Sequence, residues 1–411
     1  MRLKEIKVGD YLDSISDYHA NGSYKNLKKN ITFKKKKDYA VVIRTLNFER
    51  NDYIKDLLYI TKTEYDFLSK SKVYPNDILM NKIADAGSVY IMPNLHLPVS
   101  CGMNLFLIRF KKSVNQRYMY YNMKNVENYI KTFSHGTTTK TITKDEVREI
   151  KLRIPERKYQ DQIAQFLTNI DLKISNNNAI SKELELIAKT IYDYWFLQFE
   201  FPDKDGKPYK SNGGKMVWND QLKQEIPEGW EVNTLKEILK ENIKSKVKVK
   251  EAAEIGKVPF FTSGEAILFV DKPIVSGLNC YLNTGGNAGI KWFYGDASYS
   301  TDTWSLTCDS DMKYLLPFIL KGIEPSMDKK FFQGTGLKHL QKNLLRNYII
   351  TIPDKNTIDR FKKIVNNSFK QQSKLFNENL QLKSMRDFLL PMLRDCKIVC
   401  VRMNDSLNLF L

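Results

Sequence analysis

Two stretches of the chain carry a long apolar seam whose positions are spaced alternately by four and three. In the first, Ile163, Leu167, Ile170, Ile174, Asn177, Ser181, Leu184, Ala188, Ile191 and Trp195 follow one another with no Gly or Pro between them. That alternation brings one helix face to the same side every 3.5 residues or so, which predicts a long helix with a coiled-coil seam. Pro155 stands just ahead of it, where a proline suits the start of a helix. The second seam follows Pro353 and runs Ile358, Phe361, Val365, Ser368, Gln372, Leu375, Asn379, Leu382, Arg386, Leu389 and Leu393. Helices of about 40 residues would reach roughly 60 Å. Both seams turn polar part-way, at Asn177 and Ser181 and at Ser368, Gln372 and Asn379. A polar layer at matching depth can fix the register of two partners. Each helix could instead pack on its own globular domain. A globular face is usually broader and shorter, so pairing with each other is the expectation, through Ile163, Leu167, Ile170, Ile174, Leu184, Ile191 and Trp195 on one side and Phe361, Val365, Leu375, Leu382 and Leu389 on the other.

Elsewhere the pattern is short. Apolar, β-branched runs at Ala40–Arg44, Val89–Met92, Leu105–Ile108 and Val258–Thr262 predict strands, and Thr63–Ser69 and Met312–Lys321 predict short helices. Phe201–Gly214 is dense in turn residues and predicts a loop.

The chain also repeats itself. Phe133-Ser-His-Gly-Thr-Thr-Thr-Lys140 returns as Phe331-Phe-Gln-Gly-Thr-Gly-Leu-Lys338, 198 residues on. At that offset Lys144 matches Lys342, Arg148 matches Arg346, and Ile154-Pro155 matches Ile352-Pro353. Asn81 and Ala86-Gly87 match Asn283 and Ala288-Gly289 at an offset of 202, and Leu3-Lys-Glu-Ile6 matches Leu235-Lys-Glu-Ile238 at 232. An offset that shrinks along the chain is what loops of unequal length on a kept scaffold produce, so the chain reads as a two-fold duplication.

With 411 residues there is room for two or three domains, and 42% hydrophobic with 27% charged residues is ordinary for a globular chain. No apolar run approaches the roughly 18 residues of a membrane span. The start, MRLKEIKVGD, has no apolar signal region, so a cytoplasmic location is expected. Five scattered cysteines and four distant histidines favour neither a disulfide framework nor a zinc site, so no metal is expected. The formal charge of +18 is uneven: residues 1–155 hold 28 basic and 16 acidic side chains. A basic globular region suggests a polyanionic partner, although a Lys-rich composition by itself would look the same.

Catalytic signatures are absent. There is no phosphate-cradling G-x-x-x-x-G-K-[ST], no Gly-rich dinucleotide fingerprint and no Asn/Asp-Pro-Pro-aromatic run of amino-methyltransferases. Asp203, Asp205 and Lys207 crowd into one turn, unlike the spread carboxylates of a metal-dependent nuclease. Recognition groups are more visible. The turn Gly136, Thr137, Thr138, Lys140 and its twin Gly334, Thr335, Lys338 could offer N–H groups, hydroxyls and an ammonium to a phosphate. A plain turn before a strand explains either copy alone, but the lysine is kept in both. Arg44, Thr45 and Asn47, and Thr262 and Ser263, stand where a strand runs into a loop and could reach base edges; ordinary core with polar ends is the other reading. Asn81, Lys82, Asn283 and Asn287 complete the expected DNA-binding set, and Lys34–Lys37 and Lys244–Lys250 could add sequence-blind phosphate contacts.

The run Lys182-Glu-Leu-Glu-Leu-Ile-Ala-Lys-Thr-Ile-Tyr-Asp-Tyr-Trp-Phe196, with Phe201-Pro-Asp203, Gly206-Lys-Pro-Tyr209 and Ile226-Pro-Glu-Gly-Trp230, resembles the specificity subunit of a type I restriction–modification enzyme, as do Asn76-Asp-Ile-Leu79 and Phe260-Phe-Thr-Ser-Gly264. The resemblance covers about residues 1–394. It implies an α+β fold of two similar target recognition domains, each followed by a long helix, the helices pairing as an antiparallel coiled coil. The expected division is recognition domains at 1–155 and 230–353, helices at 156–200 and 354–394, a linker at 201–229 and a tail at 395–411. It further implies a bipartite double-stranded DNA target and two modification subunits that supply S-adenosylmethionine and adenine methylation. Restriction subunits would supply ATP hydrolysis, Mg²⁺-dependent cleavage and translocation, leaving this chain without a cofactor or catalytic residue of its own. The first half lacks the Ile-Pro-Glu-Gly-Trp entry of the second, and the tail matches nothing recognisable. A self-sufficient DNA-modifying enzyme and a structural adaptor that binds no DNA are the competing classes.

Overall fold

A computed structural model describes residues 3–336 and 338–395; the tail set apart at 395–411 lies almost wholly outside them. The chain divides into two compact units. One comprises the residues up to Leu172 with the stretch from Leu382 onward, and the other Lys173–Gln381.

In the first unit the strand Lys4–Lys7 closes against Lys151–Ile154, antiparallel, with Lys4 opposite Ile154. One sheet has the strand order Leu12–Asp17, Leu105–Phe110, Ile78–Asn81, Val89–Ile91, antiparallel throughout. A second has the order Leu58–Ile60, Ala40–Ile43, Val99–Cys101, Lys72–Val73, and its central pair runs parallel. The buried strands Ala40–Ile43 and Ile78–Asn81 read as continuous apolar runs rather than alternations, because both faces are covered.

The second unit repeats this plan. Glu231–Thr234 closes against Ile349–Ile352, with Glu231 opposite Ile352. Lys240–Glu241, Thr303–Thr307, Leu278–Asn283 and Ile290–Tyr294 form the antiparallel sheet. Ile267–Val270, Val258–Phe261 and Ser298–Tyr299 form the other, again with one parallel pair. Leu105 faces Asn81, and Thr303 faces Asn283, so the offsets of 198 and 202 join equivalent strands.

The repeat at 232 does not survive. Leu235–Ile238 is a short helix, whereas Lys4–Lys7 is a strand. The true counterpart of Leu235 is Val8: the Val8 N–H donates to Ile150 O and the Leu235 N–H to Tyr348 O, both at 2.9 Å. Four matching letters over so short a stretch arise easily where Lys, Glu, Leu and Ile abound.

The first long helix is Arg157–Tyr192, followed by a wider π turn at Asp193–Leu197, and the second is Lys355–Asp395. In the first unit Ile163, Ala164 and Leu167 enter the core, Leu389 and Leu390 pack on it, and Arg386 Nη1 lies 3.0 Å from Asp171. In the second unit the helices run antiparallel. Asn177 Nδ2 donates to Glu378 and to Asn379, both at 2.9 Å, Asn379 Nδ2 donates to Asn178 at 2.9 Å, and Tyr192, Trp195 and Phe196 surround Phe361. Of the expected polar layer, Asn177 and Asn379 are therefore hydrogen-bonded across the helices.

The second seam needs one correction. Phe369 is buried where Ser368 was expected, because its ring meets Trp292, Tyr314 and Phe318 of its own unit. Leu184 and Ile191 are half-buried, and Leu382 and Leu389 likewise. Both packing modes thus coexist: each helix meets the other and also fills a domain core. The linker is also more ordered than a loop. Met216–Asn219 and Gln224–Pro227 form a hairpin, and Arg360 Nη1 donates to Pro202 O at 2.7 Å.

Candidate nucleic-acid interface

In each unit three segments converge beside the parallel strand pair. The first is the turn after the central strand. Gly102 donates its N–H to Ile43 O at 2.9 Å, and Ser300 donates to Phe261 O at 2.9 Å. These bonds make Arg44 and Thr45 the counterparts of Thr262 and Ser263. The second is the strand end at Asn81 and Asn283. The third is the Gly–Lys loop, tied to that strand end by Ala84 N–H donating to Lys140 O at 2.9 Å and Gly286 N–H donating to Lys338 O at 3.0 Å.

The loops present their expected groups outward. Gly136, Thr137, Thr138 and Lys140 are exposed, as are Gly334, Thr335 and Lys338. Gly136 has φ +112°, and a Cβ there would come within 2.3 Å of Thr139 O, so the turn requires glycine. The imidazole of His135 faces Glu146 at 2.9 Å and braces the loop from behind.

The other expected residues are placed less uniformly. Thr45 Oγ1 donates to Asn81 Oδ1 at 2.7 Å, and Asn81 Nδ2 donates to Tyr90 Oη at 3.1 Å. Asn81 is 1% exposed and Asn47 2%; Asn47 accepts the Arg44 N–H at 3.0 Å and donates to Asp52 O. Both amides brace the turn from within rather than face solvent. Arg44 Nη2 donates to Asp56 O, while its Nε is buried without a partner. In the second unit Thr262 Oγ1 accepts the Gly264 N–H at 3.1 Å, Ser263 Oγ donates to Asp302 O, Asn283 Nδ2 donates to Asn287 O at 3.2 Å, and Asn287 is exposed. Lys35–Lys37 and Lys244, Lys246, Lys248 and Lys250 are exposed, but Lys34 is paired with Asp38.

Lys82 serves a partner that sequence reasoning missed. Its Nζ lies 2.8 Å from Asp17, and Lys144 Nζ lies 3.0 Å from the other oxygen of the same carboxylate. Lys144 sits over the Phe106 ring at 6.0 Å and Lys342 over the Trp304 ring at 4.7 Å, and both pairs keep the offset of 198. That shared offset was the available signal for Lys144. Nothing local marks Asp17.

Burial pushes the Asp17 carboxyl up, but the hydrogen bonds and charges of Lys82 and Lys144 outweigh it and hold it below the ordinary 3.8. A depressed native value stabilises the fold above the unfolded-state value and loses that contribution as pH falls through the native one. Asp17→Asn should therefore lower stability at pH 7 and flatten its fall as pH drops below the ordinary carboxylate value of 3.8. Urea melts followed by far-ultraviolet circular dichroism at stepped pH check this; parallel curves for both proteins would refute it.

Among the described residues no group of three or more His, Cys, Asp and Glu is placed to hold a metal ion, and no helix is long and apolar enough to cross a membrane.

A family model described as the type I restriction modification DNA specificity domain matches residues 10–186 and again 227–377. The type I restriction enzyme MjaIX specificity subunit of Methanocaldococcus jannaschii is 27% identical over 374 residues, covering 82% of this chain and 83% of that protein. The HindI specificity subunit of Haemophilus influenzae is 36% identical over 67 residues, 16% of this chain and 15% of its own. Among solved structures, the type I restriction–modification S subunit from M. genitalium shares the fold with a TM-score of 0.58 and 17% identity, over 96% of both chains.

Proposed function

This chain belongs to the type I restriction–modification DNA specificity family, and on that premise we propose that its two units each read one half of a bipartite DNA target. The observation that carries this is the duplicated junction: the same three segments meet in both units, but the side chains at the turn differ, Arg44 and Thr45 in one and Thr262 and Ser263 in the other. A kept scaffold with changed contacts suits two different half-sites. Each wrong base pair costs roughly 1–3 kcal/mol, so two half-sites together reach the discrimination a genome demands.

The long helices, pairing as an antiparallel coiled coil, set the spacer between the half-sites and offer the docking surface for two modification subunits and for restriction subunits. S-adenosylmethionine, ATP and Mg²⁺ act on those partners, in the cytoplasm where the DNA lies, and this chain contributes recognition rather than catalysis. The test is methylation sequencing of a host otherwise free of DNA methylation that expects its only activity from this chain and its modification subunits. A two-part motif with an unread spacer of one length is expected. A single contiguous motif, or methylation by this chain alone, would overturn the proposal.

The exposed lysines of the two loops are assigned to phosphate. Lys140→Ala and Lys338→Ala should each weaken binding to specific and non-specific duplexes alike, and lower the slope of log affinity against log salt by up to about 0.9. Titrations at stepped salt decide this, and an altered base preference would contradict the assignment.

A further inference from the structure

We propose that Lys291 is a positioning residue for base reading by the second unit and that Tyr90 holds the equivalent post in the first; this rests on the two-reader function above and deepens it. Register establishes the equivalence. Tyr90 stands opposite Leu79, which stands opposite Leu107; Lys291 stands opposite Tyr281, which stands opposite Ser305. Leu107 and Ser305 are related by the offset of 198, so Tyr90 and Lys291 occupy one place in a repeated sheet.

From that place each side chain reaches the turn after the central strand, by different chemistry. Lys291 Nζ donates to Thr262 O at 2.9 Å and also to Gly264 O, bracketing Ser263. Tyr90 reaches Thr45 through Asn81: its hydroxyl accepts from Asn81, whose carbonyl accepts from Thr45. Its ring stacks on Phe48, with centroids 4.9 Å apart. Neither arrangement is a surface accident. The Lys291 ammonium is half-buried, burial draws its pKa down, and its hydrogen bonds go to two backbone carbonyls. The two carbonyl dipoles, helped by the more distant charge of Glu265, compensate its charge, and those carbonyls are thereby fixed. Burial likewise pushes the Tyr90 phenol up to about 12, so it stays protonated.

A turn held at both carbonyls keeps the half-buried Ser263 hydroxyl at a set height above the sheet, while the buried Thr262 hydroxyl is spent inside the turn on the Gly264 N–H. Hydrogen-bond readout depends on that placement, since geometry and not mere presence separates right from wrong bases. Because Tyr and Lys differ, the repeat itself gave no hint of a shared role.

The test uses the whole chain assembled with its modification subunits. Methylation sequencing first gives the wild-type motif, and binding is then measured on duplexes carrying that motif and every single-base change in it. Lys291→Met should reduce discrimination roughly 5- to 150-fold at base pairs of one half-site. The other half-site and the salt dependence should stay as in the wild type, and Lys291→Arg should recover part of the loss. Tyr90→Phe should act in the same way on the opposite half-site, and it carries the test should Lys291→Met fail to assemble. Unchanged discrimination in both half-sites, or an equal loss in both, would overturn the inference. So would a uniform loss of affinity with a shallower salt slope, which would make Lys291 a direct phosphate contact. A wild-type chain that yields no two-part motif would instead sink the two-reader function.

Discussion

Phe361→Ala should destabilise the second unit by about 3–5 kcal/mol, the usual cost of emptying a buried aromatic site. Phe361 is 0% exposed. Its ring stands edge-on to Phe196 at 5.0 Å and meets Trp195, Phe318 and Tyr192 at 6.0, 5.9 and 6.3 Å. One side chain therefore joins the end of the first long helix, the start of the second and the domain helix Leu316–Lys330. Against a total stability of about 5–15 kcal/mol for a typical domain, the loss is large. It is also easy to isolate, because all five tryptophans, Trp195, Trp218, Trp230, Trp292 and Trp304, lie within Lys173–Gln381. Tryptophan fluorescence during urea unfolding should show the midpoint fall sharply. A shift smaller than about 1 kcal/mol would mean that the aromatic cluster collapses around the gap and is not the fastening it looks to be.

Removing one heptad from each long helix should change the spacer and spare both half-sites. The segments to remove are Lys173–Ala179 and Asn377–Lys383. They face each other around the hydrogen bonds of Asn177, Asn178, Glu378 and Asn379, so the cut removes both partners of each of these bonds. It also leaves Phe361, Phe369 and Leu375 in one core and Ile163, Leu167 and Leu389 in or against the other. Seven residues rise about 10 Å along a helix, against about 3.4 Å per base pair of duplex, so the spacer should shorten by at most about three base pairs. Methylation sequencing reads both quantities at once. An unaltered spacer would refute the helices as a ruler, and altered half-sites would refute the separation of reading from spacing.

Much of this architecture is visible in one dimension. Glycine and lysine at Gly136 and Lys140 return at Gly334 and Lys338 because a turn with positive φ and an exposed cation makes the same local demand in both copies. The seams at Ile163–Trp195 and Ile358–Leu389 are legible because a helix writes its face into sequence at fixed intervals. The failures are equally specific. Ser368 yields to Phe369 because the face a helix buries depends on what lies beside it as well as on its period, and here that is Trp292, Tyr314 and Phe318. Leu3–Ile6 and Leu235–Ile238 share letters but not place, because strand register and not local spelling decides which residues are equivalent.

The amino-acid order alone therefore determined the duplication, the two long helices and the outward loops, all of which follow from interactions between residues near one another in the chain. The roles of Asp17, Asn81, Tyr90 and Lys291 were decided only on folding. Each depends on which strand ends meet across a sheet, and a buried polar group takes its meaning from the donor or acceptor that the register sets against it.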